Sequence, residues 1–247
     1  MSNVAQRTAP LTDIDPLAAM TFGAGALLHL LQLTSPALPI GGFSYSQGLE
    51  SAMATALVSD ATTARQWLVA MLHEVVARFD APLLWRLLRA WQTLDAEAVV
   101  HWNEMALAGR DTAEFRAETV QMGYSLARLC TDLQLSEAGR QAVLAGLPEV
   151  ALPTALALAA VALQVPAPAA LLGLLFSWAE NQVLVCVKSL PLGQVAGQRL
   201  LLSLQPELVL AAATAQTLAD DELCNWSPGL SLLSMQHEVQ FSRMYRS

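Results

Sequence analysis

The sequence predicts an all-α protein, a single domain of about ten helices, and three observations carry that expectation. Leu occurs 46 times and Ala 42 times against two Ile, a surplus of strong helix formers over β-branched residues that disfavours a sheet. Apolar residues recur at helical spacing along most of the chain. No repeat of fixed period and no Gly- or Ser-rich linker divides the 247 residues, which at 54% hydrophobic and 14% charged can bury one large core.

Residues 1–16 mix Ser, Asn, Thr, Pro and Asp without periodicity and read as a flexible N-terminal arm. Residues 17–247 form the helical domain. A helix is expected from Leu17 to Leu33, weakened by Gly23 and Gly25 and stopped at Thr34-Ser35-Pro36. The loop Pro36–Gly42 leads into Phe43–Glu50, where the spacing of Ser44 and Gln47 predicts a capping box and a helix start. Leu68, Met71, Leu72, Val75, Val76 and Phe79 share one helix face, and Pro82 opens the next helix, carrying Leu83, Leu84, Leu87, Leu88 and Trp91. Asp111 with Glu114 predicts another capping box, ahead of a helix over roughly 112–134 bearing Phe115, Met122, Leu126, Leu129 and Leu133.

A helix around Glu137–Leu147 follows. The uncharged stretch Val150–Ala179 is cut by Pro153, Pro166 and Pro168 into Thr154–Val165 and Ala169–Ala179, each short of the roughly 20 residues a bilayer needs, so both read as buried core helices. Next come a helical segment Phe176–Lys188, a bend at Leu190-Pro191-Leu192-Gly193, and runs near Gln194–Leu204 and Pro206–Leu218. Asp220–Glu222 and Asn225–Gly229 read as a surface connection, and Leu230–Ser247 as a short helix with an Arg-bearing end.

A net charge of −8, with twelve Arg and a single Lys, offers no basic stripe for phosphates, so nucleic acid is excluded as a partner. Three separated cysteines point to reduced thiols, and the start of the chain lacks a secretory pattern, so a cytoplasmic protein is expected. No metal site or catalytic residue emerges. His29, His73, His101 and His237 are isolated; His237-Glu238 begins like a zinc-protease motif, but Phe241 stands where the second His belongs. His101 with Glu104 reads as a surface pair. Gly42-Phe43-Ser44-Tyr45-Ser46 lacks both the strand and the closing glycine of a nucleophile elbow, and Gly41, Gly42 and Gly48 lack the Lys of a phosphate loop. The pairs Glu114/Glu118 and Asp220/Asp221 read as solvated faces. Two weaker readings are a hydrolase using Ser44 or Ser46 with His237, and a membrane-associated protein using Leu17–Leu33 or Val150–Ala179. What the residue types favour is an interaction protein whose turn at 41–48 and C-terminal tail resist a purely structural reading.

Those segments carry a family resemblance. Leu31–Glu50 (LQLTSPALPIGGFSYSQGLE), Phe176–Leu204 (FSWAENQVLVCVKSLPLGQVAGQRLLLSL) and Ser234–Ser247 (SMQHEVQFSRMYRS) resemble, in order and position, the urease accessory protein UreF family. The resemblance implies a non-enzymatic all-helical chaperone that dimerises, pairs with UreD (UreH), recruits the GTPase UreG and supports GTP-dependent nickel insertion into apo-urease. Nickel and GTP are then expected on partner proteins, with no cofactor bound by this chain.

The resemblance further implies partner-binding roles for Tyr45, Gln47 and Glu50 in the turn, Lys188 and Gln194 beside the Pro191 bend, and His237, Glu238, Arg243, Tyr245 and Arg246 in the tail. Gly41, Gly42, Gly48, Pro191 and Gly193 would shape the turns. Asn181 replaces a commoner Ser, and Tyr245 a commoner Phe. The residues leave alternatives open: the glycines could serve backbone geometry alone, Tyr45 could plug the core, and Arg243 could pin its own tail. A helical tail would put Arg243 and Arg246 on one face and Phe241 and Tyr245 on a neighbouring one.

Overall fold

The structure, a computed structural model, describes residues 23–247; the expected N-terminal arm and the helix start at Leu17 lie outside the described residues. Eleven α-helices follow one another, and no strand occurs among the described residues: α1 (Ala24–Leu33), α2 (Leu49–Ala54), α3 (Ala61–Met71), α4 (Ala81–Thr93), α5 (Ala96–Ala108), α6 (Ala113–Asp132), α7 (Ala138–Ala145), α8 (Leu152–Ala162), α9 (Ala167–Ser189), α10 (Gln194–Thr217) and α11 (Pro228–Glu238). A π-helical stretch, Leu72–Asp80, joins α3 to α4 without a break, so the described residues make ten helical rods.

The arrangement centres on α8. Apart from Thr154 this helix is apolar all round, as a largely enclosed helix must be, and Ala155, Ala157, Leu158, Ala159 and Ala160 are inaccessible to solvent. It lacks polar side chains to cap its own N-terminus, so its neighbours do so. The Ala151 amide donates to Asn103 Oδ1 of α5 at 3.0 Å and the Leu152 amide to Thr119 Oγ1 of α6 at 3.2 Å. Trp91 of α4 donates its indole N–H to the Thr154 carbonyl at 3.1 Å. On α4, Leu83, Leu84, Leu87, Leu88 and Trp91 are wholly buried, each aliphatic side chain contributing about 1.5–3 kcal/mol of burial free energy.

Several boundaries differ from the sequence expectation, each for a physical reason. Pro82 lies in the first turn of α4 as expected, but no break precedes it, because the π winding passes the Ala81 amide to the Val76 carbonyl and continues the rod from α3. Pro206 removes only one hydrogen bond, so Gln194–Thr217 is a single helix rather than two. Thr112, not Asp111, caps α6, its hydroxyl accepting from the Phe115 amide at 3.2 Å. The two pieces expected around Ala169–Ala179 and Phe176–Lys188 merge into the 23-residue α9, because Pro168 lies in its first turn, where no amide is needed. By length and composition α9 is therefore long enough to cross a bilayer, contrary to the expectation, but half of its most apolar stretch is buried inside the protein. It packs along α10, where an added Cβ on Gly197 would lie 2.4 Å from Val187.

Gly123 of α6 marks the closest backbone approach. A Cβ there would fall 2.0 Å from the Val150 carbonyl oxygen, which cannot move aside without displacing the start of α8. Gly123→Ala is expected to lower unfolding free energy in urea by about 3 kcal/mol. Gly25→Ala, where a Cβ meets nothing within 4 Å, should leave stability unchanged or raise it by up to about 1 kcal/mol.

Candidate functional site: a docked C-terminal tail

The turn expected to begin a helix at Ser44 does something else. Gly42–Ser44 forms a single 3-10 turn, Tyr45 is extended, and Gln47 and Gly48 take left-handed backbone angles of φ +54° and +78° before α2 begins at Leu49. Gly41 is also left-handed, at φ +80°. Gly48 is doubly constrained, since a Cβ would sit 2.9 Å from Leu230 Cδ1, on which the turn rests. Gly193, by contrast, has ordinary φ and open space around it, so its place in the Pro191 bend demands no glycine.

The tail lies across this turn. α11 ends at Glu238 and the chain beyond it is irregular, so Arg243 and Arg246 share no helix face, nor do Phe241 and Tyr245. Tyr245 is buried beside Cys186 and Ser189 at the end of α9, while Phe241 is fully exposed.

His237 fastens the arrangement. Its ring is inaccessible to solvent; Nδ1 lies 2.9 Å from Glu114 Oε2 and Nε2 lies 2.9 Å from Glu50 Oε2. Toward two carboxylates, which only accept, the contacts are complete when both ring nitrogens donate. Glu50 then accepts the Met244 amide at 2.8 Å and the Tyr245 amide at 3.0 Å, and Glu114 accepts from Arg243 Nη1 at 3.0 Å. The Arg246 amide donates to the Ser44 carbonyl at 2.8 Å, and the Ser46 amide to the Ser247 carbonyl at 2.7 Å. Ser46 Oγ donates to that same carbonyl.

Beneath the tail a second network runs from α9 to α6. Trp178 donates to Gln47 Oε1 at 2.8 Å, Gln47 Nε2 donates to Glu118 Oε1 at 2.6 Å, and Ser247 Oγ donates to Glu118 Oε2 at 2.9 Å. Asn181 donates to the Tyr45 carbonyl at 3.0 Å, and the Tyr45 hydroxyl to Gln121 at 2.9 Å. Burial raises the Tyr45 hydroxyl above its ordinary pKa, opposed by a hydrogen bond with Arg246.

Of the residues singled out in the sequence, Tyr45, Gln47, Glu50, His237, Arg243, Tyr245 and Arg246 come together here. Tyr45 and His237 are buried inside the chain; Glu238 is exposed at the end of α11. Lys188 and Gln194 are exposed on the last turn of α9 and the first turn of α10 and take no part in the network. Because both His237 nitrogens face carboxylates, neither Ser44 nor Ser46 has a histidine base, and the hydrolase arrangement does not form. Among the described residues no group of three His, Cys, Asp or Glu could hold a metal ion.

Glu114 and Glu118 were expected on a solvated face, and the structure corrects this. Glu118 is 7% exposed and the Glu114 side chain 10%, because the tail covers both. Their spacing put them on one face of α6, but nothing local in the sequence foretold a lid of residues more than a hundred positions away.

The docked tail leaves an apolar rim in solvent: Val239, Phe241 and Met244 are more than half exposed, with Arg243 and Arg246 beside them. His237→Ala would leave Glu50 and Glu114 without the group they share. Unfolding free energy is expected to fall by about 3 kcal/mol, with helix content by circular dichroism retained.

Comparison with known proteins bears on the identity of the chain. The UreF family model matches residues 58–205. The urease accessory protein UreF of Janthinobacterium sp. is 70% identical over 224 residues, covering 91% of this chain and 99% of that protein. That of Nitrosospira multiformis is 59% identical over 90% of this chain and 98% of its own, and that of an Azoarcus species 48% identical over 90% and 95%. The family-model match and this breadth of identity place the chain in the UreF family of urease accessory proteins.

Proposed function

We propose that this chain is a non-catalytic scaffold in urease maturation, bridging UreD (UreH) and the GTPase UreG and supporting GTP-dependent nickel delivery to apo-urease. The observation that carries the reading is the tail: backbone amides and a buried histidine fix it to the body, leaving an apolar rim flanked by two arginines facing outward. Such a surface suits protein docking, with aliphatic and aromatic groups supplying area and arginines supplying directed donors. The histidine and glutamates are consumed in holding the tail, which favours an interaction role over chemistry by those groups. Nickel and nucleotide are assigned to the partner proteins, and the setting is cytoplasmic.

The same scaffold is proposed to be a homodimer. Leu27, Leu28 and Leu31 form an exposed apolar face on α1, the kind of surface a second protein covers. Light scattering at micromolar concentration should return twice the 26.4 kDa chain mass; a monomer throughout would remove this part of the reading.

Co-purification with UreD and UreG, followed by activation of apo-urease with and without the chain, tests the bridging role. Arg243 is 40% exposed in its pair with Glu114, so Arg243→Ala should spare the fold while removing donors from the rim. Loss of charge-assisted bonds at a desolvated contact costs about 1.5–3 kcal/mol, roughly ten- to over a hundredfold in ternary-complex affinity. Unchanged assembly and full urease activation by the variant would sink the assignment.

A further inference from the structure

We propose that docking of the tail is linked to a proton on Glu118: the tail is held firmly when that carboxyl is neutral and loosens when it ionises. The inference concerns the docking itself and rests on its geometry, whichever proteins the docked surface receives.

Glu118 lies between the tail and the interior. Ser247 Oγ of the tail is 2.9 Å from Oε2, and Glu118 also lines a mostly apolar cavity of about 210 Å³. Its other contact is Gln47 Nε2 at 2.6 Å, and the Trp178 indole, donating to Gln47 Oε1, holds that amide with its donors toward Glu118. Both partners are neutral. No ion pair reaches Glu118 among the described residues, because Arg110 is committed to Asp80 and Arg243 to Glu114.

Docking therefore takes water from Glu118 and returns one neutral donor, Ser247 Oγ, beside the Gln47 amide that the turn already supplies, which suits a neutral carboxyl better than a charged one. In the neutral acid the contact with Ser247 can run in reverse, Oε2–H donating to Oγ, so docking takes up one proton from solvent and breaks no bond.

The charged and titratable surroundings do not overturn this balance. Arg110 and Asp80 face Glu118 as an opposed pair, with Asp111 beside Arg110. Tyr45 on the turn interacts with it, as does Arg246 of the tail through Tyr45. Glu180 of α9 lines the same cavity, and Glu114 lies one turn away on α6 beneath His237. Burial dominates, pushing the Glu118 carboxyl from 4.5 up to about 7, against the hydrogen bonds of Gln47 and Ser247 and the charge of Arg110.

The sign follows. A carboxyl whose docked value exceeds its undocked one favours docking below the undocked value, and the advantage is lost as pH rises toward the docked value near 7. Each pH unit inside that window is worth up to about tenfold in the docking equilibrium.

Hydrogen exchange of the Met244, Tyr245 and Arg246 amides in the full chain, corrected for intrinsic rates, reads docking directly. Protection is expected to fall on the order of tenfold between about pH 5.5 and 7.5. Glu118→Gln should keep these amides protected and flatten the profile. A flat wild-type profile overturns the proposal, and so does a slope that persists in Glu118→Gln, which would place the titration on another group. Should Glu118→Gln fail to fold, carboxyl carbon NMR of the unmodified chain decides: a Glu118 step near 7, moving with the loss of protection, supports the latch, and a step in the ordinary carboxylate range overturns it. None of these failures alters ternary assembly with Arg243→Ala as its control, so the latch and the scaffold reading fall separately.

Discussion

A buried histidine held between two carboxylates is the contact on which the functional end of this protein depends. His237 comes from the last helix, Glu50 from the short helix after the glycine turn, and Glu114 from the first turn of α6. Three elements distant in sequence meet at one imidazole ring. Each carboxylate then uses its remaining capacity on the tail, Glu50 on two backbone amides and Glu114 on Arg243. Taking such groups out of water is expensive unless every donor and acceptor is satisfied, and here they satisfy one another. That is why the tail can run without helix or strand and still have a defined course.

The body supplies the rigidity this contact requires. α8, apolar but for Thr154 and capped by side chains of α5 and α6, fixes α6 against the core through the close approach at Gly123. Glu114 and Glu118 therefore project from a helix that cannot shift independently of the core. Trp178 and Asn181 tie the turn to α9 on the other side. The tail is thus clamped between two of the longest helices, and its outward residues form a surface rather than a loose end.

Much of the fold was legible in the sequence. The Leu and Ala surplus, the stripe on α6 and the apolar character of α8 are local properties, and each led to the right kind of element. The misplaced boundaries at Pro168 and Pro206 share one cause: reading a proline as a break overlooks that a helix start has no need of its amide and that a long helix outlasts the loss of one hydrogen bond. The site was half legible. His237, Glu50, Arg243 and Tyr245 were picked out through the family resemblance, whereas Glu114, Glu118 and Trp178 acquire meaning only when the tail folds over them. Residue spacing reports which groups share a helix face; it does not report what later covers that face. Tyr45 shows the converse, a residue chosen for an interface that the fold buries instead.

A double-mutant cycle between Glu50→Gln and His237→Ala, followed by urea unfolding of the isolated chain, tests the central claim most directly, because these residues are 187 positions apart and meet only if the tail is docked. The account predicts a coupling of about 1.5 kcal/mol or more between the two sites. Strict additivity of the two single substitutions would contradict it.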